Sequence, residues 1–375
     1  MTVLAFVAAT SCAAWVWLAL VWGRFWRTDV RLPRRAAPSN WPSVAIVVPA
    51  RDEAAMLPRT LPALLAQDYA GPLRVIVVDD GSRDATGEIA RAAGATVVEP
   101  GDPPPGWTGK LWALRKGIEQ AGDVEFLLLT DADIGHQPDS LTALVEAANG
   151  LDLVSQMARL RVHTAWERLV VPAFVYFFAM LYPFRWVNRP GSRVAAAAGG
   201  CSLVRRSALE RAGGLCAVRG AVIDDVAIAR IVKRSGGRIW LGLADRVGSI
   251  RPYPRLADLW QMVARSAFAQ LRHSALLLAG TVLGLALVFL APVTAAIAGL
   301  AAGQAAVAAL GAGTWAIMAA TFAPMLRYYR QSVLLAFTLP LTATLYLAMT
   351  VDSARRHWLG RGASWKGRTY AATGR

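Results

Sequence analysis

The sequence is short of cysteine, of charge and of acid. Its three cysteines (Cys12, Cys201 and Cys216) are irregularly spaced over 375 residues. That excludes a disulfide framework and offers no zinc-ligand pattern. Only 17% of residues are charged and 55% are hydrophobic. A soluble domain carries roughly a quarter charged residues, so a simple cytosolic protein is excluded, and disorder is excluded by the high hydrophobicity. Neither a GxxxxGKS/T nor a GxGxxG loop is present, so a phosphate ligand is not held in those ways. No repeat of solenoid period occurs. The 25 acidic residues are outnumbered by 40 Lys and Arg, giving a net charge of +15. Such an excess suits nucleic acid or an anionic membrane surface. The basic residues gather around apolar runs rather than on a soluble face, which favours the membrane and argues against nucleic acid.

The apolar mass lies at the two ends. Residues 1–23 contain no charged side chain, and Arg24, Arg27, Arg31, Arg34 and Arg35 come directly after. About 20 apolar residues suffice for a spanning helix, and the arginines then place the downstream chain in the cytoplasm. No basic stretch precedes this run and no clear cleavage site succeeds it, so it reads as an anchor rather than a signal peptide. Residues 274–326 are again uncharged, enough for two spans, and 331–351 form a third run interrupted by Pro340. The tail beyond it, 352–375, is basic. Three full spans would put that tail outside against the charge rule, whereas a re-entrant segment at Pro340 would keep it inside; the sequence leaves both open. The expected organisation is an N-terminal membrane helix (1–23), a basic linker (24–42), a cytoplasmic catalytic domain (43–272), a C-terminal membrane region of two to three segments (274–351) and a basic tail (352–375). The expected location is the cell (inner) membrane.

Between the ends, the pattern is α/β. Residues 43–49 (SVAIVVP), 73–78 (LRVIVV), 95–99 and 125–130 (EFLLLT) read as buried strands. Residues 54–67, 85–93 (with Asp84 as its cap) and 110–120 read as the intervening helices. Continuous apolar strands alternating with helices predict a parallel sheet covered on both faces, with ligands beyond the strands' carboxyl ends. Three strands there end in acid: Asp52-Glu53, Asp79-Asp80 and Asp131-Ala132-Asp133. Carboxylates converging on one rim repel, and a divalent cation with oxygen ligands, Mg²⁺ or Mn²⁺, together with a diphosphate would relieve the repulsion.

VVPARDEA, VVDDGSRDAT, the Asp-Ala-Asp triplet and a later Asp224-Asp225, in this order over residues 43–270, resemble family 2 glycosyltransferases. The resemblance implies an α/β fold of GT-A type, a Rossmann-like nucleotide-diphospho-sugar transferase domain. It implies a nucleotide site, usually for uridine, at Pro49, Ala50, Asp52, Glu53, Asp79 and Asp80. Asp-Asp-Gly-Ser is also good turn chemistry, which suits Asp79 in any fold. It implies Asp133 as metal ligand, with Asp131 assisting through ribose or metal. Gly199-Gly200 would lie under sugar and acceptor, where glycine admits close backbone approach. Cys201 beside them reads as small filler. Asp225 is the expected general base, with Asp224 in place of the family's Glu; two acids at a helix start also suit the helix dipole. Lys110, at the start of a helix, is either a diphosphate contact or a surface lysine. The family's membrane synthases carry Gln-x-x-Arg-Trp; here Gln261 is followed by Arg265 one residue late, and no Trp comes next. Arg265 can still meet diphosphate, but the departure argues against a processive polymer synthase.

Ser364-Trp365-Lys366-Gly367-Arg368-Thr369-Tyr370 resembles a WKGRxY signature of lipid-directed relatives, and the layout is most similar to the hopene-associated group. Residues 166–186 are apolar, aromatic and flanked by arginines, with Pro172 and Pro183 inside. They read as an in-plane interfacial helix that admits a membrane acceptor, or as core helices. The expected activity is inverting transfer from a UDP-sugar to a lipid hydroxyl. The alternatives are transfer to polyprenyl phosphate, which needs no base, and sugar-nucleotide binding without turnover.

Overall fold

The computed structural model describes residues 3–360 and the strand residues 364–365 and 368–369. Lys366, Gly367 and Tyr370 of the tail signature lie outside the described residues. The chain divides into two compact units, one built mainly from Val30–Arg161 and Trp186–Pro252, the other from Met1–Asp29, Val162–Arg185 and Tyr253–Gly362.

The first unit is an α/β layer structure on an eight-stranded sheet. Its strands are β1 (Val44–Ala50), β2 (Leu73–Asp79), β3 (Thr96–Val98), β4 (Phe126–Leu129), β5 (Ile134–His136), β6 (Leu153–Arg159), β7 (Ser202–Arg205) and β8 (Ile239–Ser249), in the order β3-β2-β1-β4-β7-β6-β8-β5. The four strands expected from sequence are all present and mutually parallel. The sheet as a whole is mixed, which corrects the expectation of a parallel one. β7 runs antiparallel to both β4 and β6, and β5 antiparallel to β8. β7 follows β6 in sequence and enters the sheet at the end where β6 leaves it, so it runs antiparallel and no right-handed βαβ crossover joins the two. β1 is buried along its whole length, which is why it reads as a continuous apolar run rather than an alternating one.

Register sets the rim. Ala50 pairs with Asp79, so β1 and β2 finish at one level, while β4 ends earlier, with Leu129 opposite Val47; all three lead into acidic loops. The helix Gly109–Gln120 lies close against β1 and β2. A Cβ at Gly117 would stand 2.4 Å from Val47 Cγ1, so glycine there lets the helix approach. The helix after β1 begins at Leu57, later than expected, because residues 52–54 are bound to the next loop instead. In the helix Thr86–Ala92 the cap position is Ala85; Asp84, one residue earlier, accepts from Thr86 N at 3.1 Å.

The second unit is helical. Five helices among the described residues are long and apolar enough to cross a membrane: Val3–Leu20, Ala165–Val187, Ala275–Ala301, Ala305–Tyr328 and Val333–Trp358. Leu276, Leu283, Leu300 and Leu334 are 71–82% exposed, as for side chains that lipid would cover. Inside, aromatic rings pack edge to face: Phe177 meets Phe289 and Tyr346, and Tyr176 meets Phe25 and Phe322. Tyr176 Oη bonds Thr321 Oγ1 at 2.7 Å, so the helix Ala165–Leu181 packs within this unit. The π-helical turn Ala286–Leu290 loosens its backbone ladder, and Trp15 Nε1 donates to the Val288 carbonyl at 2.6 Å. Pro340 begins a helix, Leu339–Trp358, rather than breaking one; its missing N–H is harmless in a first turn.

Candidate active site

The rim of the sheet is built from two interlocked loops. Asp52, at φ 51°, turns the chain after β1. Its N–H donates to Ser82 Oγ at 3.0 Å, and its Oδ1 accepts from Arg83 N at 2.8 Å. Glu53 N donates to Thr86 Oγ1, and Ala54 N to Asp84 Oδ2. Asp79 Oδ1 accepts from Ser82 N at 2.9 Å, so this residue closes its own turn. Pro49 and Ala50 are buried at the end of β1. Asp80 is 0% exposed, with Arg51 Nη1 at 3.5 Å from its Oδ2. Asp80 is thus an internal counter-charge, while Asp79 and Asp52 stand nearer the surface.

A second group gathers around Lys110. The Thr108 side chain caps this helix and places the lysine in its first turn. Lys110 Nζ lies 2.9 Å from Asp131 Oδ1 and 3.1 Å from Asp224 Oδ2. Burial works against its charge, but Asp131 and Asp224 overcome this and hold its pKa above the usual lysine range. It is not a surface lysine. Burial raises the pKa of Asp131, against the pull of Lys110.

Asp224 and Asp225 open the helix Asp224–Arg234. Asp225 Oδ2 accepts from Gly199 N at 2.7 Å, and Oδ1 from Val226 N at 2.7 Å. Burial, then the neighbouring charge of Asp224, pushes its pKa up to about 7, with Lys110 pulling the other way. A carboxylate poised there can take a proton near neutral pH. A Cβ on Gly199 would stand 3.4 Å from both Asp225 Oδ2 and Lys110 Nζ, so this glycine lies beside both groups. Ser155 Oγ accepts from Ala198 N, and Thr130 Oγ1 donates to Gly200 O at 2.8 Å, fixing the glycine pair from both sides. A small cavity is lined by Pro49, Lys110, Asp131, Gly199, Asp224 and Asp225 among others. Cys201 is buried and its thiol is pushed up to about 12 by burial, in keeping with a filler. Arg265 belongs to the helical unit, just beyond the helix Leu256–Ala264.

The third group was not anticipated. Arg251, just past β8, donates through Nη2 to both oxygens of Glu53 (2.6 and 2.8 Å) and through Nε to Asp133 Oδ2 (3.1 Å). Ser249 Oγ donates to the same Asp133 oxygen at 2.8 Å. Arg51 was likewise missed. The available signal was electrostatic: a rim with this many acids calls for internal cations, and Arg251 sits at a strand end before Pro252.

Among the described residues, no group of three or more His, Cys, Asp and Glu is placed to hold a metal by itself. Mg²⁺ needs only one or two carboxylates when phosphate oxygens and water complete its shell. Two carboxylates, Glu53 and Asp133, already converge on one cationic group at Arg251, while Asp131 faces Lys110. The donor set therefore fits a cation completed by a diphosphate.

The architecture is of GT-A type. Residues 45–213 match the family model described as Glycosyl transferase family 2. Over 96 residues the chain is 38% identical to 4,4'-diaponeurosporenoate glycosyltransferase of Staphylococcus aureus (strain bovine RF122 / ET3-1), covering 25% of each chain. It is 36% identical over the same length to that of strain USA300, again covering 25% of each. The match thus spans about a quarter of the length of these curated relatives. The structure is similar in fold to a mannosyltransferase from Pyrobaculum calidifontis in complex with GDP-Man and Mn²⁺, with TM-score 0.59, 21% identity, and coverage of 95% of this chain and 99% of that one.

Proposed function

We propose that the chain is a membrane-bound, inverting glycosyltransferase. It moves a sugar from a nucleoside diphosphate sugar, UDP-sugar first, to a hydroxyl on a polyisoprenoid lipid such as a hopanoid. The carrying observation is Asp225, a half-buried carboxylate with raised proton affinity, one hydrogen bond from Gly199 and one residue from the Lys110–Asp131–Asp224 cluster. In the reaction the acceptor oxygen bonds the anomeric carbon, the bond to the leaving diphosphate breaks on the opposite face, and Asp225 takes the hydroxyl proton. Lys110 faces the developing charge on the leaving group. Asp133, assisted by Asp131, would hold Mg²⁺ or Mn²⁺, which supplies Lewis-acid neutralisation of the diphosphate. Asp52, Glu53 and Asp79 serve the nucleotide. The apolar helices and the arginines around them suit an anionic inner membrane, with the catalytic unit in the cytoplasm. The curated relatives, named for a carotenoid acid, support an isoprenoid acceptor.

The relatives' named acceptor also supports a second reading, in which the acceptor is already an anion, a carboxylate or a polyprenyl phosphate, and needs no base. One experiment separates the two. Membranes carrying wild type or Asp225→Asn are given labelled UDP- and GDP-sugars with Mg²⁺ or Mn²⁺, and lipid extracts are counted. A hydroxyl acceptor predicts a loss of about 10²- to 10⁴-fold in the variant. Equal labelling would establish the anionic acceptor, and no labelling with any donor would refute the glycosyltransferase reading.

A further inference from the structure

Both acids of the Asp-Ala-Asp triplet are held by a cation of the protein itself. Lys110 holds Asp131 at 2.9 Å, and Arg251 holds Asp133 at 3.1 Å. Arg251 does more than neutralise. Its Nη2 reaches both oxygens of Glu53 on the loop after β1 while its Nε reaches the turn after β4. Glu53 is buried, the Asp133 side chain is 13% exposed and that of Arg251 26% exposed, so the three-group contact is screened little by water. Arg251 therefore occupies the electrostatic position that a divalent cation would take beside Asp133.

We infer that Arg251 is a resident counter-ion that competes with the divalent cation for Asp133, so that the metal enters only together with the nucleotide diphosphate. This rests on the proposed function for the identity of the incoming complex, but the competition itself does not. Three features support it. The competing contacts use the same Asp133 oxygen that Ser249 fixes, so the carboxylate cannot simply turn away from the guanidinium without losing a second hydrogen bond. No ready set of three ligands is present among the described residues, so a bare cation gains little by displacing Arg251. A cation already bearing diphosphate brings its own oxygen ligands, and those oxygens offer the displaced guanidinium a new bidentate partner. Arg251 is thus a positioning residue, which bridges the two loops when the site is empty and is free to turn to phosphate when it is filled.

The test uses the full-length protein in detergent. Free Mn²⁺ is followed by its electron paramagnetic resonance signal, first without nucleotide and then with UDP or GDP. Wild type should bind Mn²⁺ weakly alone. Arg251→Gln, which leaves the carboxylates uncompensated, should bind Mn²⁺ alone about ten-fold tighter, in line with the size of effects of groups that hold a metal ligand. Arg251→Lys, with one ammonium nitrogen in place of the two contacting guanidinium nitrogens, should fall between them, and it remains informative should the glutamine variant fail to fold. Equal or weaker nucleotide-free Mn²⁺ binding in the folded variants would overturn the inference. The proposed function fails separately, if neither nucleotide increases Mn²⁺ binding by wild type while the variants still differ.

Discussion

Asp224 and Asp225 are adjacent in sequence and opposite in circumstance. Asp224 faces Lys110 at 3.1 Å, whereas Asp225 is held by two backbone N–H groups and carries the raised pKa. A base must be ionised to act. Because burial and Asp224 raise its pKa, the ionised fraction of Asp225 climbs as pH rises through about 7, and the rate should climb with it. Replacing Asp224 with Asn removes one of the two upward pushes. The acidic limb of the kcat/KM profile should then move to lower pH; an unmoved limb would show that Asp225 is not the titrating group. At this scale the sequence displayed the acids well and their partners poorly. Asp52, Asp79, Asp131, Asp133, Asp224 and Asp225 stand out because acids at strand and helix ends are visible as motifs. Arg51 and Arg251 did not, because an arginine acquires its meaning from which carboxylate the fold brings to it. Arg251 meets Glu53 across 198 positions of sequence, a pairing that no local pattern encodes.

Among the elements, the helix Gly109–Gln120 is closely placed. It carries Lys110, and Gly117 lets it sit against Val47 and Val78. Gly117→Val would press a branched side chain into that contact. It should destabilise the protein by about 1–3 kcal/mol and lower the thermal unfolding midpoint. A midpoint unchanged from wild type would mean the helix can retreat without loss. The four strands with apolar runs were legible from periodicity and composition alone, since full burial on both faces demands such runs. The mixed character of the sheet was not legible. β7 is four residues, SLVR, with nothing local to state its direction, and its antiparallel pairing is set by the course of the chain between β6 and β7.

At the scale of the whole molecule, an α/β unit and a helical unit share one chain that passes between them more than once. If the five apolar helices are integral to a bilayer, the protein should stay in the membrane pellet after an alkaline carbonate wash, which strips peripheral proteins. Release into the supernatant would leave surface binding by arginine as the only attachment. The order of the strands also bears on how the chain is made. β7 lies between β4 and β6, yet it is synthesised after both, and the apolar helix Ala165–Leu181 is synthesised between β6 and β7. A nascent chain that has emerged only as far as that helix therefore holds one open edge on β4 and two on β6, all able to pair with another chain. Delivery of the helix to the bilayer and closure of the sheet become one sequence of events on the ribosome. Chains stalled just before residue 202 should be markedly more sensitive to protease, and more prone to self-association, than chains stalled past residue 252, which ribosome-bound intermediates of both lengths would reveal.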